Sequence, residues 1–182
     1  SDALANVTVN SLVMDPFDRQ VLWAGTGEGY FREVERGTGL PLRGHGIFRT
    51  GDGGDTWEWL AATRGEDFYW VNDLVASPHA PGRLYAATRT GVWRATDAGA
   101  TWQRLLDPAV NGGCLDLALR TDRPNDALFA ACGSFDQGSV YRNLAAEGEG
   151  GWEQVLSDPG MGRTSLAIAP SRQDVIYALA AS

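Results

Sequence analysis

Gly46-Ile47-Phe48-Arg49-Thr50-Gly51-Asp52-Gly53-Gly54-Asp55-Thr56-Trp57 decides the reading of this chain. Its counterpart Gly91-Val92-Trp93-Arg94-Ala95-Thr96-Asp97-Ala98-Gly99-Ala100-Thr101-Trp102 follows in register 45 residues later. A period of that size belongs to arrays of stacked repeats. A third, eroded copy runs from Ser139-Val140-Tyr141-Arg142 to Trp152; it holds two extra residues, and Glu147 stands loosely where the aspartate belongs. In each copy an apolar, aromatic or β-branched run is broken by a polar, Gly-containing cluster and resumes at a Trp. That is the signature of strand, turn and strand.

The turn has a chemical basis. Asp52 and Asp97 can accept hydrogen bonds from backbone N–H groups a residue or two ahead, and Gly54 and Gly99 can take positive φ without steric cost. Thr50-x-Asp52-x-Gly54-x-Thr56-Trp57 fits the pattern Ser/Thr-x-Asp-x-Gly-x-Thr-Trp at every fixed position, whereas Asp97, Gly99, Thr101 and Trp102 keep it with Ala95 in place of the hydroxyl. On these residues the chain resembles the Asp-box (BNR) repeat β-propellers, a superfold shared by sialidases, oligoxyloglucan hydrolases, sortilin-type receptors and photosystem II assembly factors. The resemblance covers nearly the whole chain.

Two further strand signals precede each turn. The first recurs at Ser11-Leu12, Asp73-Leu74, Asp116-Leu117 and Ser165-Leu166; the second at Val21-Leu22-Trp23-Ala24, Leu84-Tyr85-Ala86-Ala87, Leu128-Phe129-Ala130-Ala131 and Ile176-Tyr177-Ala178-Leu179. The expected fold is therefore all-β, with blades of four antiparallel strands. Blades are expected at 9–60, 71–106 and 114–156, with half a blade at 164–182. A seven-bladed ring at this period needs on the order of 315 residues, so the expectation is part of a larger propeller. Its open sides would be met by the remaining blades of a longer chain or by a second copy.

Composition narrows the function classes. The net charge is −8, all the positive charge is carried by Arg, and there is no Lys, which argues against a nucleic-acid surface. No apolar run approaches the ~20 residues of a membrane span. His45 and His79 are the only histidines, so a histidine metal site is not expected, nor is a cofactor. Gly25-Thr26-Gly27-Glu28-Gly29 lacks the Lys and the helix of a phosphate loop. Asp52-Gly53-Gly54-Asp55 falls short of a calcium loop, which would want an oxygen-bearing side chain at the position of Gly54.

Candidate binding residues gather on one face. Between the second and third strands of the first repeat lies an insertion, Gly29 to His45, that the other repeats lack. It opens on the same face as the connections between repeats, where function usually sits. Arg32, Arg43 and His45 of the insertion are binding candidates, set against a solvated loop with weak internal ion pairs. Phe68-Tyr69-Trp70 precedes the inner strand of the second repeat. It reads either as a stacking platform, with Tyr69, Trp70, Glu66, Asp67 and Arg89 as ligand contacts, or as packing between repeats.

For the activity, the resemblance leaves two classes. The sialidase element Phe/Tyr-Arg-Ile-Pro is absent, because Phe48-Arg49 continues into Thr50-Gly51. The expected function is a noncatalytic module binding a protein or glycan; the alternative is part of an inverting glycoside hydrolase, with Glu28 as candidate acid and its partner carboxylate outside the chain. The resemblance implies an extracytoplasmic or secreted location. Asn6-Val7-Thr8 is an acceptor triplet for N-glycosylation. Cys114 and Cys132 are placed symmetrically about Arg123, so a regular antiparallel register sets them opposite each other as a possible disulfide. The competing reading is two small residues packed against a neighbouring blade.

Overall fold

Each repeat closes on itself as an antiparallel sheet whose strands follow one another in chain order. The computed structural model describes residues 7–29, 42–108, 112–134, 136–148 and 150–181. Arg32, the middle of the insertion and Asn6 lie outside the described residues. The first sheet is β1 (Val9–Met14), β2 (Leu22–Thr26), β3 (Ile47–Thr50) and β4 (Glu58–Trp59); the second is β5 (Val71–Ala76), β6 (Leu84–Thr88), β7 (Gly91–Ala95) and β8 (Gln103–Leu106). The third is β9 (Cys114–Leu119), β10 (Leu128–Gly133), β11 (Gly138–Asn143) and β12 (Glu153–Ser157). A two-stranded sheet of β13 (Thr164–Ile168) and β14 (Ile176–Ala180) follows.

The core lies between sheets. Trp23, Ile47, Val71, Leu74 and Leu84 form one buried cluster across the first and second sheets; Tyr85, Val92, Cys114, Leu117 and Leu128 form another across the second and third. Because central strands are covered on both faces, their sequence runs apolar without alternation. Polar groups fix the angle between sheets. Trp23 Nε1 donates to Ala98 O at 3.1 Å, and the buried Asp126 carboxylate accepts from Ser77 Oγ, Arg83 and the Tyr85 hydroxyl at 2.8, 2.9 and 2.7 Å. Burial and this bond to Asp126 push the Tyr85 phenol up.

The turn that ends at Trp57 is held differently from the expectation. Asp52 reaches four residues ahead, not one or two: Oδ1 accepts the Thr56 N–H at 2.9 Å and Oδ2 the Thr56 hydroxyl at 2.5 Å. The nearer N–H groups of Asp52 and Gly54 donate to Thr50 Oγ1 instead, while the Thr50 hydroxyl donates to Asp52 at 2.6 Å. Trp57 closes the turn through Nε1 to Gly54 O at 3.1 Å, with Gly54 at φ 104°. In the second turn Asp97 takes the N–H and hydroxyl of Thr101 in the same way, and Trp102 bonds Gly99 O. In the third, Glu147 does not replace the aspartate. It accepts the Asp126 N–H, and Asn143 holds the turn by accepting from Ala145 N and donating to Gly150 O.

Cys114 and Cys132 form a disulfide with Cα atoms 3.8 Å apart. The reason for their pairing differs from the regular register. The main ladder of β9 and β10 pairs Leu119 with Leu128 and Asp116 with Ala131, which would set Cys132 opposite Leu115; a bulge at Leu115 shifts the register and brings Cys114 there. The same bulge recurs between Val9 and Ser11 and between Val71 and Asp73. It is a built feature of the inner strand, of the kind that re-aims side chains.

Candidate functional site

Antiparallel order puts the β2–β3, β4–β5, β6–β7 and β8–β9 connections at one end of the sheets, opposite the aspartate turns. At that end the two stems of the insertion return close together. Gly27 N donates to Thr8 O, Glu28 N to Leu42 O at 2.8 Å, and Gly44 N to Tyr69 O at 2.8 Å. A Cβ on Gly27 would lie 2.3 Å from Tyr69 O, and its φ is 99°, so only glycine allows this approach. The last of these bonds ties the insertion to the second repeat.

Arg43 then lies over the Tyr69 ring, with Cζ 3.3 Å from the centroid. Tyr69 meets Trp70 edge to face at 5.9 Å, and Arg89 sits over Trp70 at 5.4 Å. Such stacking holds a guanidinium in place while leaving its in-plane N–H donors directed outward. A second cluster stands beside it. His45 packs edge-on to Trp59 at 5.7 Å, and Arg64 covers the Trp59 ring at 4.5 Å.

The aromatic triplet therefore divides. Phe68 ends a 3-10 turn, Glu66–Phe68, and turns inward onto Trp93 and Trp102 at 5.2 and 5.3 Å; it packs between repeats. Tyr69 and Trp70 stay half-buried at the surface, yet Arg43 occupies a face of the Tyr69 ring, so Tyr69 is not a bare stacking platform. Glu66 is exposed at the rim, and Asp67 contributes its carbonyl to the Thr90 hydroxyl. Glu28 is exposed, without the water-poor surroundings that a glycosidase acid uses. Among the described residues no group of three or more His, Cys, Asp or Glu is arranged to hold a metal.

The inner strands also carry a polar ladder. Ser11 Oγ accepts the Leu74 N–H, Asp73 Oδ2 the Leu117 N–H and Asp116 Oδ2 the Leu166 N–H, at 2.9, 3.0 and 2.8 Å. Each bond joins one sheet to the next at the repeated bulge. Ser11 also donates to Asp73 Oδ1 at 2.9 Å. Burial, and secondarily the Asp116 charge, push the Asp73 carboxyl up to about 6 against the pull of these bonds. The repeated Ser/Asp-Leu pair was the available signal; it was legible as a strand start, but its partner lies in another repeat.

No known protein family matches the chain, and no curated protein does. Among solved structures it is similar to an ancestral GH74 enzyme, with TM-score 0.66, 19% identity, and coverage of 89% of this chain and 22% of that one. It is also similar to YCF48 from Cyanidioschyzon merolae, with TM-score 0.58, 18% identity, and coverage of 95% of this chain and 53% of that one. The fold is a β-propeller. Among the described residues there are three four-stranded sheets and one two-stranded sheet, and the chain spans between about a fifth and half the length of these neighbours. In propeller terms the Arg43–Tyr69 stack sits at the junction of the first two blades, and the Ser11–Asp73–Asp116 ladder lies on the strands nearest the axis.

Proposed function

We propose that this propeller is a noncatalytic binding module of the Asp-box repeat kind, taking a protein or glycan partner on the face that carries Arg43, Tyr69, Trp70 and Arg89. The observation that carries this reading is the Arg43–Tyr69 stack at 3.3 Å, tied to the scaffold through Gly44 N and Tyr69 O. A guanidinium fixed in this way keeps its donors presented without losing rotamer freedom when a ligand arrives. The insertion and the blade junction thus act together. The Cys114–Cys132 disulfide supports an oxidising compartment as part of the same proposal. Glycan and peptide arrays probed with the native chain and with Arg43→Ala test the reading. Retained ligands should lose about tenfold or more in affinity, the worth of one charge-assisted contact; unchanged binding would assign the rim to a solvated loop.

The likeness to a GH74 enzyme favours a second reading, part of an inverting glycoside hydrolase. Two carboxyl groups ~6.5–9.5 Å apart would flank the bond. Glu28 would be one, and further blades would bring the other. Release of reducing sugar from xyloglucan by a protein that holds this chain together with those further blades, abolished by Glu28→Gln, would establish catalysis; no release by that protein leaves the binding module.

A further inference from the structure

Arg43 and Arg64 are exposed guanidiniums on the insertion face, and neither pairs with a carboxylate among the described residues. Arg83, Arg104, Arg120, Arg142 and Arg172 each do. The difference is not for want of anions, since Asp and Glu number 23 against 15 Arg. Each of the two lies instead over an aromatic ring, Arg43 on Tyr69 at 3.3 Å and Arg64 on Trp59 at 4.5 Å. The backbone beneath them is fixed. Gly44 N donates to Tyr69 O at 2.8 Å, Thr26 Oγ1 donates to Gly46 O at 2.6 Å and accepts the His45 N–H at 2.8 Å, and Ile47 N donates to Thr63 Oγ1 at 2.9 Å. The short run from Gly44 to Ile47 thus ties the residue whose ring carries Arg43 to the residue before Arg64, over at most about 10 Å of chain.

We infer that these two guanidiniums take an acidic peptide segment of a partner protein; the inference rests on the binding-module reading above and names its ligand class. The rings decide against a neutral sugar. Tyr69, Trp59 and Trp70 are half-buried, and Arg43, Arg64 and Arg89 each cover a face of one of them, so the faces on which a sugar would stack are taken. The rim offers planar N–H donors instead, which match a carboxylate two bonds at a time. Two carboxylates on one side of an extended peptide stand about 7 Å apart, within the span between the two arginine anchors. A stretch with acidic residues at alternate positions therefore engages both at once. The rest of the surface sharpens the choice. With a net charge of −8, the chain repels such a segment elsewhere, so its encounter is confined to the rim where guanidiniums stand without carboxylates.

Fluorescence anisotropy of a labelled oligoglutamate peptide, titrated with the whole protein that contains this chain, tests the inference, with thermal melts to check that each variant folds. Oligoglutamate should bind, weaken as salt is raised through the physiological range, and lose about tenfold or more in affinity with Arg43→Gln or Arg64→Gln. Arg64→Lys keeps the charge without the planar fork and should fall between the native protein and Arg64→Gln. Absence of oligoglutamate binding, or binding that Arg43→Gln and Arg64→Gln leave intact, overturns the inference. Tighter binding of polygalacturonate, lost in the same variants, overturns it in favour of an acidic glycan. Neutral array ligands that depend on Arg43 overturn it too, while the binding-module reading stands; that reading fails where Arg43→Ala leaves every array ligand bound as before.

Discussion

Asp52 and Asp97 on one side and Asp73 on the other respond to pH in opposite directions. Asp52 is held well below the usual carboxylate range by the Thr50 hydroxyl, then by the hydroxyl and N–H of Thr56; Asp97 is lowered by Thr101 in the same manner. Their folded pKa values lie below the unfolded value, so their contribution is present above about pH 4 and is lost as the pH falls further. Asp73 is raised to about 6. In the folded chain it binds a proton that the unfolded chain has released, so stability rises as the pH falls from about 6 towards 4. The melting temperature should therefore peak near pH 5, and Asp73→Asn should remove the rise between pH 7 and 5 while leaving the acid limb. A flat profile between pH 7 and 5 in the native chain would contradict the desolvation of Asp73.

At the scale of the element, the aspartate turn is a local device and its parts are separable. Ala95 occupies the place of Thr50 and is as buried, so nothing fills the role of the Thr50 hydroxyl in the second turn. Ala95→Thr should supply acceptors for the Asp97 and Gly99 N–H groups and add about 0.5–1 kcal/mol in a denaturant melt; a destabilised variant would show that the second turn cannot take the geometry of the first. Trp57→Ala removes a half-buried indole bonded to Gly54 O. It should cost about 2–3 kcal/mol, less than a fully buried aromatic, with no change in ligand affinity, because the turn is at the far end of the sheet. Loss of binding without loss of stability would contradict the structural role of the turn.

Over the whole molecule, what could be read from the sequence divides by the range of the interaction. The blades were legible because Asp52, Gly54, Thr56 and Trp57 interact within seven residues and recur in register. The cysteine pair was placed by a register that the Leu115 bulge in fact supplies, a feature that no local spacing reveals. Long-range features were not legible: the Asp73–Leu117 and Asp116–Leu166 bonds span blades, and Arg43 on Tyr69 depends on the insertion folding back over a different repeat. Phe68 turned inward because a 3-10 turn carries it onto Trp93 and Trp102.

We propose that binding belongs to the insertion face and stability to the aspartate turns. The affinity of one retained ligand for the native chain, Tyr69→Ala and Asp52→Ala, measured on the arrays and then by calorimetry, separates the two. The expected result is a loss of affinity in Tyr69→Ala with its melt preserved, beside native affinity in Asp52→Ala with its melt lowered. Native affinity in Tyr69→Ala, or lost affinity in a folded Asp52→Ala, would contradict it.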